Sequence, residues 1–373
     1  MIPRMRLPST LAWLVDEAGA ARGADRFLAS LGTKLIADGV PLVGGALTLT
    51  AAHPIIARRT WLWRAETGSV IEALGFGPMD VAGQGAGSEH GKVGRDWLAA
   101  LGTGLVQEDA AGPATESQPS AGPVLAWALS HPLAEDQSTL LHQTARFAAA
   151  PLASLSWRAT LAALLEAYLG RRGAAQVLAG RSRREAGESI RAVLLVGDLR
   201  DFTSMSQSMA SEDVVAALDA WFDRIAGAVH AFGGEVLKFI GDGVLAIFPI
   251  GDQPPSVACD AALSAVGAAL AGMAHLNEAR GRQGLSSLNF GLALHLGEML
   301  WGNVGTANRL DFTAIGPAVN LVSRLEGLCR PLGRSVLITG AVAAETTTAL
   351  VPLGEHLLRG IASPCAVFTL SEV

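Results

Sequence analysis

The stretch 234–248, with the sequence GEVLKFIGDGVLAIF, constrains the fold of this chain more than any other. Two short apolar runs, 236–240 and 244–248, flank a Gly-Asp-Gly triplet, a pattern that is typical of a β-hairpin with a tight turn. The turn places the carboxylate of Asp242 at an accessible tip, and Lys238 lies four residues earlier on the incoming strand. Taken alone, the pattern fits a polar turn equally well, so its function depends on the partners that the rest of the chain supplies.

The composition bounds the class of protein. The 373 residues are enough for two domains of about 150 residues, and a hydrophobic content of 50% supplies ample core. A net charge of −6 disfavours nucleic acids and anionic membranes, because both attract basic surfaces. The three cysteines lie far apart without metal-site spacing, which suits a reducing compartment. No apolar run reaches the roughly 18–20 residues of a membrane span, so we expect a cytoplasmic protein without one.

The sequence of residues 1–152 predicts a small α+β domain. We expect this domain to be a regulatory sensor that binds an unknown ligand. The pattern predicts helix at 10–38 and 93–101, and strands at 42–51, 60–65, 70–74 and 124–130. A Gly-rich stretch at 83–87 lacks the Lys-Ser/Thr of a phosphate loop, and we interpret it and 110–123 as loops. The order of elements resembles a GAF- or PAS-type sensor. His53, Trp61 and Trp63 are candidate ligand contacts, although such single residues are more often packing residues.

Residues 153–187 predict a helical linker between the two domains. Leu161, Leu164, Leu165, Tyr168 and Leu169 recur at helical spacing and form one apolar face. Such a face fits a dimer seam or packing on either domain.

The second half supplies a partner for the hairpin. The apolar run 192–196 predicts a strand that ends at Asp198, followed by a turn and a helix over 212–232. If this strand pairs beside the hairpin, Asp198 and Asp242 reach the same end of one sheet. Two carboxylates together with triphosphate oxygens would bind two Mg²⁺ ions, which prefer hard oxygen ligands. Asp201 is a competing ligand that we interpret as a turn residue.

A second group of polar residues follows a predicted strand pair at 288–296 and 298–301. Thr313 and Ile315 precede a Gly-Pro break where a helix begins, and Asn320 and Arg324 share one face of that helix. An amide and a guanidinium on one face suit a phosphate whose charge grows in a transition state. For that pair alone, an ordinary solvated helix surface explains the pattern as well.

Taken in order, these pieces resemble the catalytic domain of the class III nucleotidyl cyclases. The matching segments are DLRDFT (198–203), GGEVLKFIGDG (233–243), LHLGEMLWGNVG (294–305), DFTAIGPAVNLVSRLE (311–326) and LLRG (357–360). The resemblance covers about 185 residues, 188–373, and implies a ferredoxin-like α+β domain with an antiparallel-rich sheet.

The resemblance implies a role for each matching residue. Asp198, Asp242 and the carbonyl of Leu199 match metal ligands for two Mg²⁺ ions, which Mn²⁺ replaces. Lys238 and Thr313 match the pair that reads adenine, with the backbone of Ile315 also facing the base. Asn320 matches the residue that orients the ribose, and Arg324 the residue that stabilises the transition-state phosphate. The remaining substrate-binding positions are Phe202, Thr203 and Arg359.

The resemblance implies an adenylate cyclase that converts ATP to 3′,5′-cyclic AMP and pyrophosphate at a homodimer interface. Arg359 stands where the family usually has lysine, and Asp201 where it often has glycine. The alternatives are a guanylate cyclase, which Lys238 disfavours, and a silent nucleotide-binding module that regulates a partner. A diguanylate cyclase would require a different turn at the hairpin.

Overall fold

The chain divides into two units between Ala167 and Tyr168, a boundary that lies inside the predicted linker. The computed structural model describes residues 7–50, 56–76, 92–101, 104–111, 122–181, 187–306 and 308–371. The glycine-rich stretch 83–87, His53 and most of the predicted loop 110–123 lie outside the described residues.

The first unit is built on one antiparallel sheet of five strands. In chain order its elements are α1 (Ser9–Asp16), α2 (Ala24–Ala37), β1 (Leu42–Thr50), β2 (Ile56–Arg64), β3 (Val70–Phe76), α3 (Lys92–Ala99), β4 (Val106–Ala110), β5 (Val124–Leu129) and α4 (Glu135–Leu178). The spatial order is β3-β2-β1-β5-β4. Trp61 and Trp63 belong to its buried core, so the packing interpretation of these tryptophans is confirmed.

Two predictions for the first unit were wrong in detail. The helix predicted over 10–38 is two helices, α1 and α2, separated by a 3₁₀ turn at Ala18–Ala20. Strand β4 was missed because its sequence, VQEDA, has no apolar alternation, and such a sequence is tolerated since β4 lies at the edge of the sheet. The likeness to a GAF- or PAS-type sensor remains a prediction.

Helix α4 extends the predicted linker at its N-terminal side, because it begins at Glu135 rather than near residue 153. The helical conformation is interrupted at Gly170, whose φ of 70° and ψ of 166° lie outside the helical region. Glycine adopts this backbone without the steric cost that a Cβ would impose. The residues of α4 from Tyr168 onward belong to the second unit.

Two helices, α4 and α7 (Pro255–Arg282), are long and apolar enough to cross a membrane by length and composition alone. Core helices of globular proteins pass the same test, and α7 buries Cys259, Ala262 and Val266 in the core of the second unit. The expectation that the chain has no membrane span therefore remains a prediction.

The second unit contains an eight-stranded sheet. In chain order its further elements are β6 (Glu188–Leu199), α5 (Phe202–Ser208), α6 (Ser211–Ala231), β7 (Glu235–Ile240), β8 (Gly243–Pro249), α7, β9 (Phe290–Gly305), β10 (Leu310–Ile315), α8 (Pro317–Glu326), β11 (Val336–Thr339), α9 (Gly340–Ala343), β12 (Leu350–His356) and β13 (Cys365–Leu370). The main path of the sheet runs β12-β13-β11-β9-β6-β8-β7, and β10 pairs with β9.

The centre of this sheet has the ferredoxin-like arrangement that the sequence predicted. Strands β9, β6, β8 and β7 are neighbours in that order and pair antiparallel, and helices connect β6 to β7 and β8 to β9. This is the split βαβ arrangement, in which a strand from elsewhere lies between two parallel ones. The arrangement places the end of β6 beside the start of β8.

The two faces of the sheet have separate cores. Trp221 of α6 and Val266 of α7 pack with Phe248 against one face. Val322 and Leu325 of α8 pack against the other face, together with Ile247. The sheet is therefore held between two helical layers, and its strand ends carry the polar residues of the predicted site.

The strand pair predicted at 288–296 and 298–301 was wrong. The structure has one strand, β9, which passes through Gly297 without a turn and pairs with β10. Gly297 is required for close packing rather than for a turn, because a Cβ there would lie 2.6 Å from the Cβ of Ala318 on α8.

Candidate active site

The hairpin tip is fixed by its backbone. Ile240 pairs with Gly243, so Gly241 and Asp242 alone form the loop. Gly241 has a φ of 63°, and glycine at the first position of a two-residue loop is typical of a type II′ turn. The indole Nε1 of the buried Trp221 donates a hydrogen bond of 2.9 Å to the carbonyl of Asp242. The turn and this hydrogen bond hold the Asp242 carboxyl at a defined position.

Asp198 reaches the same end of the sheet as Asp242, as the sequence predicted. Gly197 of β6 pairs with Val244 of β8, so Asp198 lies next to the hairpin turn. A Cβ at Gly243 would lie 3.5 Å from Oδ1 of Asp198, and the charge of Asp242 acts on the Asp198 carboxyl. The fold therefore brings together two acids that are far apart in sequence.

The electrostatics of this pair suit a cation. Burial is the largest cause that raises the pKa of Asp198 to about 7, and the neighbouring acids Asp242 and Glu326 raise it further. A hydrogen bond from the backbone N–H of Leu199 opposes this shift and lowers the pKa. Like charges this close repel, and a divalent cation bound to oxygen ligands relieves the repulsion. Among the described residues no group of three or more His, Cys, Asp or Glu side chains is arranged to hold a metal. Two neighbouring carboxylates fit a cation whose other ligands come from a substrate.

Glu326 acts on this pair and Arg200 acts on Glu326, and the sequence reasoning missed both residues. Burial and the charge of Asp242 raise the pKa of Glu326, whereas Arg200 lowers it. Gly291, the β9 partner of Asp198, makes room for Glu326, since a Cβ there would lie 2.4 Å from its Oε1. Glu326 lies in SRLE and Arg200 in DLRDFT, two of the sequences that resemble the cyclase family. Their position in these segments is the sequence signal from which they could have been predicted.

Lys238 on β7 contacts a residue other than the predicted one. Its ammonium group forms an ion pair with Asp311 of β10, whereas Thr313 was predicted as its partner in reading a base. Asp311 and Thr313 are two residues apart on a strand, so both face the same side. The structure thus adds Asp311 to the group, and the role of Thr313 remains a prediction.

Asn320 and Arg324 are both exposed on α8, opposite the buried residues Ala318, Val322 and Leu325. The side chains of Asn320 and Arg324 therefore point away from the core and are accessible to a second molecule.

Ile315 lies at the end of β10 and is 45% exposed. It lines a cavity of about 490 Å³ between β9 and the start of α8, together with His295 and Glu298. Burial lowers the pKa of His295 to about 4, so its imidazole is neutral near pH 7.

Comparison with known proteins identifies the second unit. Residues 187–367 match the family model of the adenylate and guanylate cyclase catalytic domain. The second unit carries a class III cyclase catalytic domain.

Two similar proteins are named adenylate cyclases. The chain is 34% identical over 181 residues to adenylate cyclase 1 of Rhizobium meliloti (strain 1021), covering 47% of this chain and 27% of the relative. It is 34% identical over 161 residues to adenylate cyclase of Anabaena cylindrica, covering 42% of this chain and 31% of the relative. The chain thus spans less than a third of the length of these two relatives.

Solved structures also match. The adenylyl cyclase CyaB from P. aeruginosa has 23% identity and a TM-score of 0.44, with 51% of this chain and 97% of that chain covered. The guanylyl cyclase Cya2 has 24% identity and a TM-score of 0.45, with 51% and 95% covered.

The first motif of the cyclase domain shows why Asp201 is accommodated. Asp201 has a φ of 58° and is the only non-glycine residue with positive φ among the described residues. Glycine is favoured in this left-handed conformation, and aspartate is one of the residues that tolerate it. Its carboxylate faces Arg330 at 3.1 Å, and because both side chains are exposed the pair stabilises little. The conformation agrees with the interpretation of Asp201 as a turn residue.

The other predicted substrate contacts of the cyclase domain lie on short segments. Phe202 and Thr203 begin α5, and the side chain of Phe202 packs on the core while Thr203 is exposed. Arg359 is exposed between β12 and β13, next to the buried Leu358. Leu199 ends β6 beside Asp198.

Proposed function

We propose that this protein is an adenylate cyclase that converts ATP to 3′,5′-cyclic AMP and pyrophosphate. The observation that carries the proposal is the pair of neighbouring carboxyl groups, Asp198 and Asp242, inside a domain that matches the cyclase family. Of the residues that the resemblance assigns to the reaction, each is present, and the structure describes each one.

Asp198, Asp242 and the carbonyl of Leu199 would hold two Mg²⁺ ions, and the raised pKa of Asp198 is what an unneutralised carboxylate pair produces. When bound, Mg²⁺ supplies activation of the ribose 3′-hydroxyl and neutralises triphosphate charge. The chain itself contributes mainly positioning and charge, as in other phosphoryl transfers.

Other residues of the protein bind the substrate, orient it and stabilise the transition state. Arg324 stabilises the charge that develops on the α-phosphate when the 3′-oxygen attacks, and Asn320 orients the ribose. Backbone N–H groups of Phe202 and Thr203 bind phosphate oxygens, and Arg359 binds the terminal phosphates. Positioning of the ribose 3′-oxygen against the α-phosphorus favours the 3′,5′-cyclic product over hydrolysis.

The choice of base rests on Lys238. An ammonium group donates to N1 of adenine, which is an acceptor, whereas N1 of guanine is a donor. Asp311 forms an ion pair with this ammonium group. Thr313 lies on the same side of β10, and its hydroxyl accepts a hydrogen bond from the 6-amino group of adenine. ATP is therefore favoured over GTP, and guanylate cyclase activity is the alternative within the family.

Replacing Lys238 tests the base assignment. We expect Lys238→Glu to lower kcat/KM for ATP by about 100-fold or more, because an acceptor then faces N1 of adenine and Asp311. The kcat/KM for GTP should fall much less or rise. Cyclic AMP and cyclic GMP formation, measured with each nucleotide, gives both values.

The control for this prediction is Arg282→Glu, the same charge reversal at an exposed position at the end of α7. It should leave both values within about twofold of the wild type. An equal loss for ATP and GTP in Lys238→Glu would contradict a base-reading role.

A homodimer completes the site in this proposal. Asn320 and Arg324 are exposed on the face of α8 that lies opposite its buried residues, which supports their use in a site on a second chain. Trp157, Leu161 and Leu164 of α4 are 74%, 52% and 39% exposed, and their spacing of four and three residues is typical of a coiled-coil seam. A second copy of the chain would cover this face.

The seam gives a prediction about assembly. We expect Leu161→Glu to weaken dimerisation by about tenfold or more, because it places like charges in the seam of both chains. Analytical ultracentrifugation over a concentration series measures the change. Val15→Glu, at an exposed apolar position of α1, is the matched control and should not change it. Membrane binding of the wild type through this face would count against the seam and against a cytoplasmic location.

The decisive test is an assay of the purified chain with ATP or GTP and Mg²⁺ or Mn²⁺. Cyclic AMP as the main product supports the proposal, and cyclic GMP supports the alternative. If neither forms with either metal while the nucleotide still binds, the domain is a silent nucleotide-binding module. The ligand of the first unit can be sought afterwards as a change in this activity.

A further inference from the structure

The last part of α4, from Tyr168 to Leu178, belongs to the second unit although it precedes the cyclase family match. Its residues Gly173 and Ala174 are buried, so the segment is packed on the cyclase domain rather than extended in solvent. No role is implied for it by the resemblance. The contacts of this segment are made with the strands that carry Lys238 and Asp311.

Arg172 is the centre of these contacts. Its Nε and one terminal nitrogen donate hydrogen bonds of 2.9 Å each to the two carboxylate oxygens of Glu235, the first residue of β7. The other terminal nitrogen lies 3.8 Å from Glu188, the first residue of β6. A bidentate pair of this kind fixes orientation as well as distance, and the side chains of Arg172 and Glu235 are only 23% and 30% exposed.

Two glycines of the segment approach the base-reading strands closely. A Cβ at Gly170 would lie 3.3 Å from the carbonyl oxygen of Val236 on β7, and a Cβ at Gly173 would lie 3.5 Å from the ring of Phe312 on β10. Phe312 stands between Asp311 and Thr313. The segment therefore touches both strands whose side chains meet in the Lys238–Asp311 ion pair.

The backbone of β7 is irregular at this point. The register between β7 and β8 shifts between Val236 and Lys238, which marks a β-bulge. A bulge re-aims the side chains that follow it, so the direction of Lys238 depends on how the start of β7 is held. Glu235 lies immediately before the bulge, and its carboxylate accepts the two hydrogen bonds from Arg172.

We infer that Arg172 is a positioning residue for base recognition: through Glu235 it holds the start of β7 so that Lys238 faces the base. The inference rests on the proposed function, because it takes Lys238 as the base reader. Arg172 touches neither the nucleotide nor the reacting atoms, and it acts on the selectivity for ATP over GTP rather than on the chemical step.

The test is a comparison of Arg172→Ala, Glu235→Ala and the double variant in the full chain. We expect each single variant to lower the ratio of kcat/KM for ATP to that for GTP by about tenfold. The double variant should be no worse than either single one, because both remove the same contact. Arg172→Lys, which keeps the charge but not the bidentate geometry, should recover part of the ratio. Arg171→Ala is the control, since Arg171 is the adjacent exposed arginine.

A second measurement separates this inference from the proposed function. Competition of ATP and GTP for a bound fluorescent ATP analogue reports base selectivity without turnover, and Arg172→Ala should reduce the preference for ATP by the same factor. A wild type that binds nucleotide but forms no cyclic product overturns the proposed function alone. An unchanged ATP preference in folded Arg172→Ala or Arg172→Lys, or the same loss in Arg171→Ala, overturns the inference. If Arg172→Ala does not fold, the lysine variant and Glu235→Gln decide.

Discussion

Mixing Asp198→Ala protein with Arg324→Ala protein restores activity that neither protein has alone. This is the expected result if each site of a homodimer takes its carboxylates from one chain and Arg324 from the other. Each single variant should lose about 10²–10³-fold or more in kcat, because each removes a group that acts on the transition-state charge. In an equal mixture about half of the dimers pair the two variants, and each such dimer has one intact site. Recovery should therefore approach about a quarter of the wild-type activity.

The matched control mixes Asp198→Ala with Asp242→Ala. Both substitutions damage the same carboxyl pair, so no combination of these chains rebuilds a site and no activity should return. Subunit exchange is verified with differently tagged chains before the assay. Failure of the first mixture to recover, in dimers that exchange, would mean that Arg324 and Asp198 serve a site within one chain.

Asp198→Asn should stabilise the metal-free protein at pH 8 while it abolishes metal binding. Burial and neighbouring acids raise the pKa of Asp198 to about 7 from its usual 3.8. The sign follows from linkage: the folded state holds this proton more tightly, so the carboxyl costs nothing below about pH 4. It destabilises increasingly as the pH rises from about 4 to about 7, and the full cost is present at pH 8. Because the group is partly exposed, we expect a gain of only about 1–2 kcal/mol, or about 2–8 °C in Tm.

Thermal unfolding of the full chain at pH 5 and pH 8, with and without Mn²⁺, measures this effect. The gain should shrink toward pH 5, and Mn²⁺ should raise the Tm of the wild type but not of Asp198→Asn. Asp223→Asn on the exposed side of α6 is the control for loss of one negative charge. An Asp198→Asn protein that is less stable than the wild type at pH 8 would mean that the carboxylate pair is not strained without a cation.

The local features of the second unit were predictable because they depend on short sequence patterns. The turn at Gly241 and Asp242 and the helix that carries Asn320 have turn and helix-start signals beside them. Gly297 was misread because a glycine required by a neighbouring helix has the same appearance in sequence as a glycine required by a turn. Only the tertiary packing of Ala318 separates the two cases.

The contacts that sequence reasoning missed join residues that are far apart in the chain. Arg172 and Glu235 are 63 positions apart, and Lys238 and Asp311 are 73 apart. Charged residues of this kind look like solvated surface until the fold places a partner beside them. Glu326 is a similar case, because its proximity to the Asp198 pair depends on the absence of a side chain at Gly291.

Helix α8 carries polar groups with two different surroundings, and this has a kinetic consequence. Glu326 at its C-terminal end acts on the carboxyl pair of its own chain, whereas Asn320 and Arg324 are exposed for use by a second chain. In the proposed dimer one rigid helix would thus be shared by two catalytic centres. A shift of α8 that accompanies substrate binding at one centre would move the α8 residues that belong to the other centre. The rate of turnover at each centre would then depend on whether substrate is bound at the other centre of the dimer.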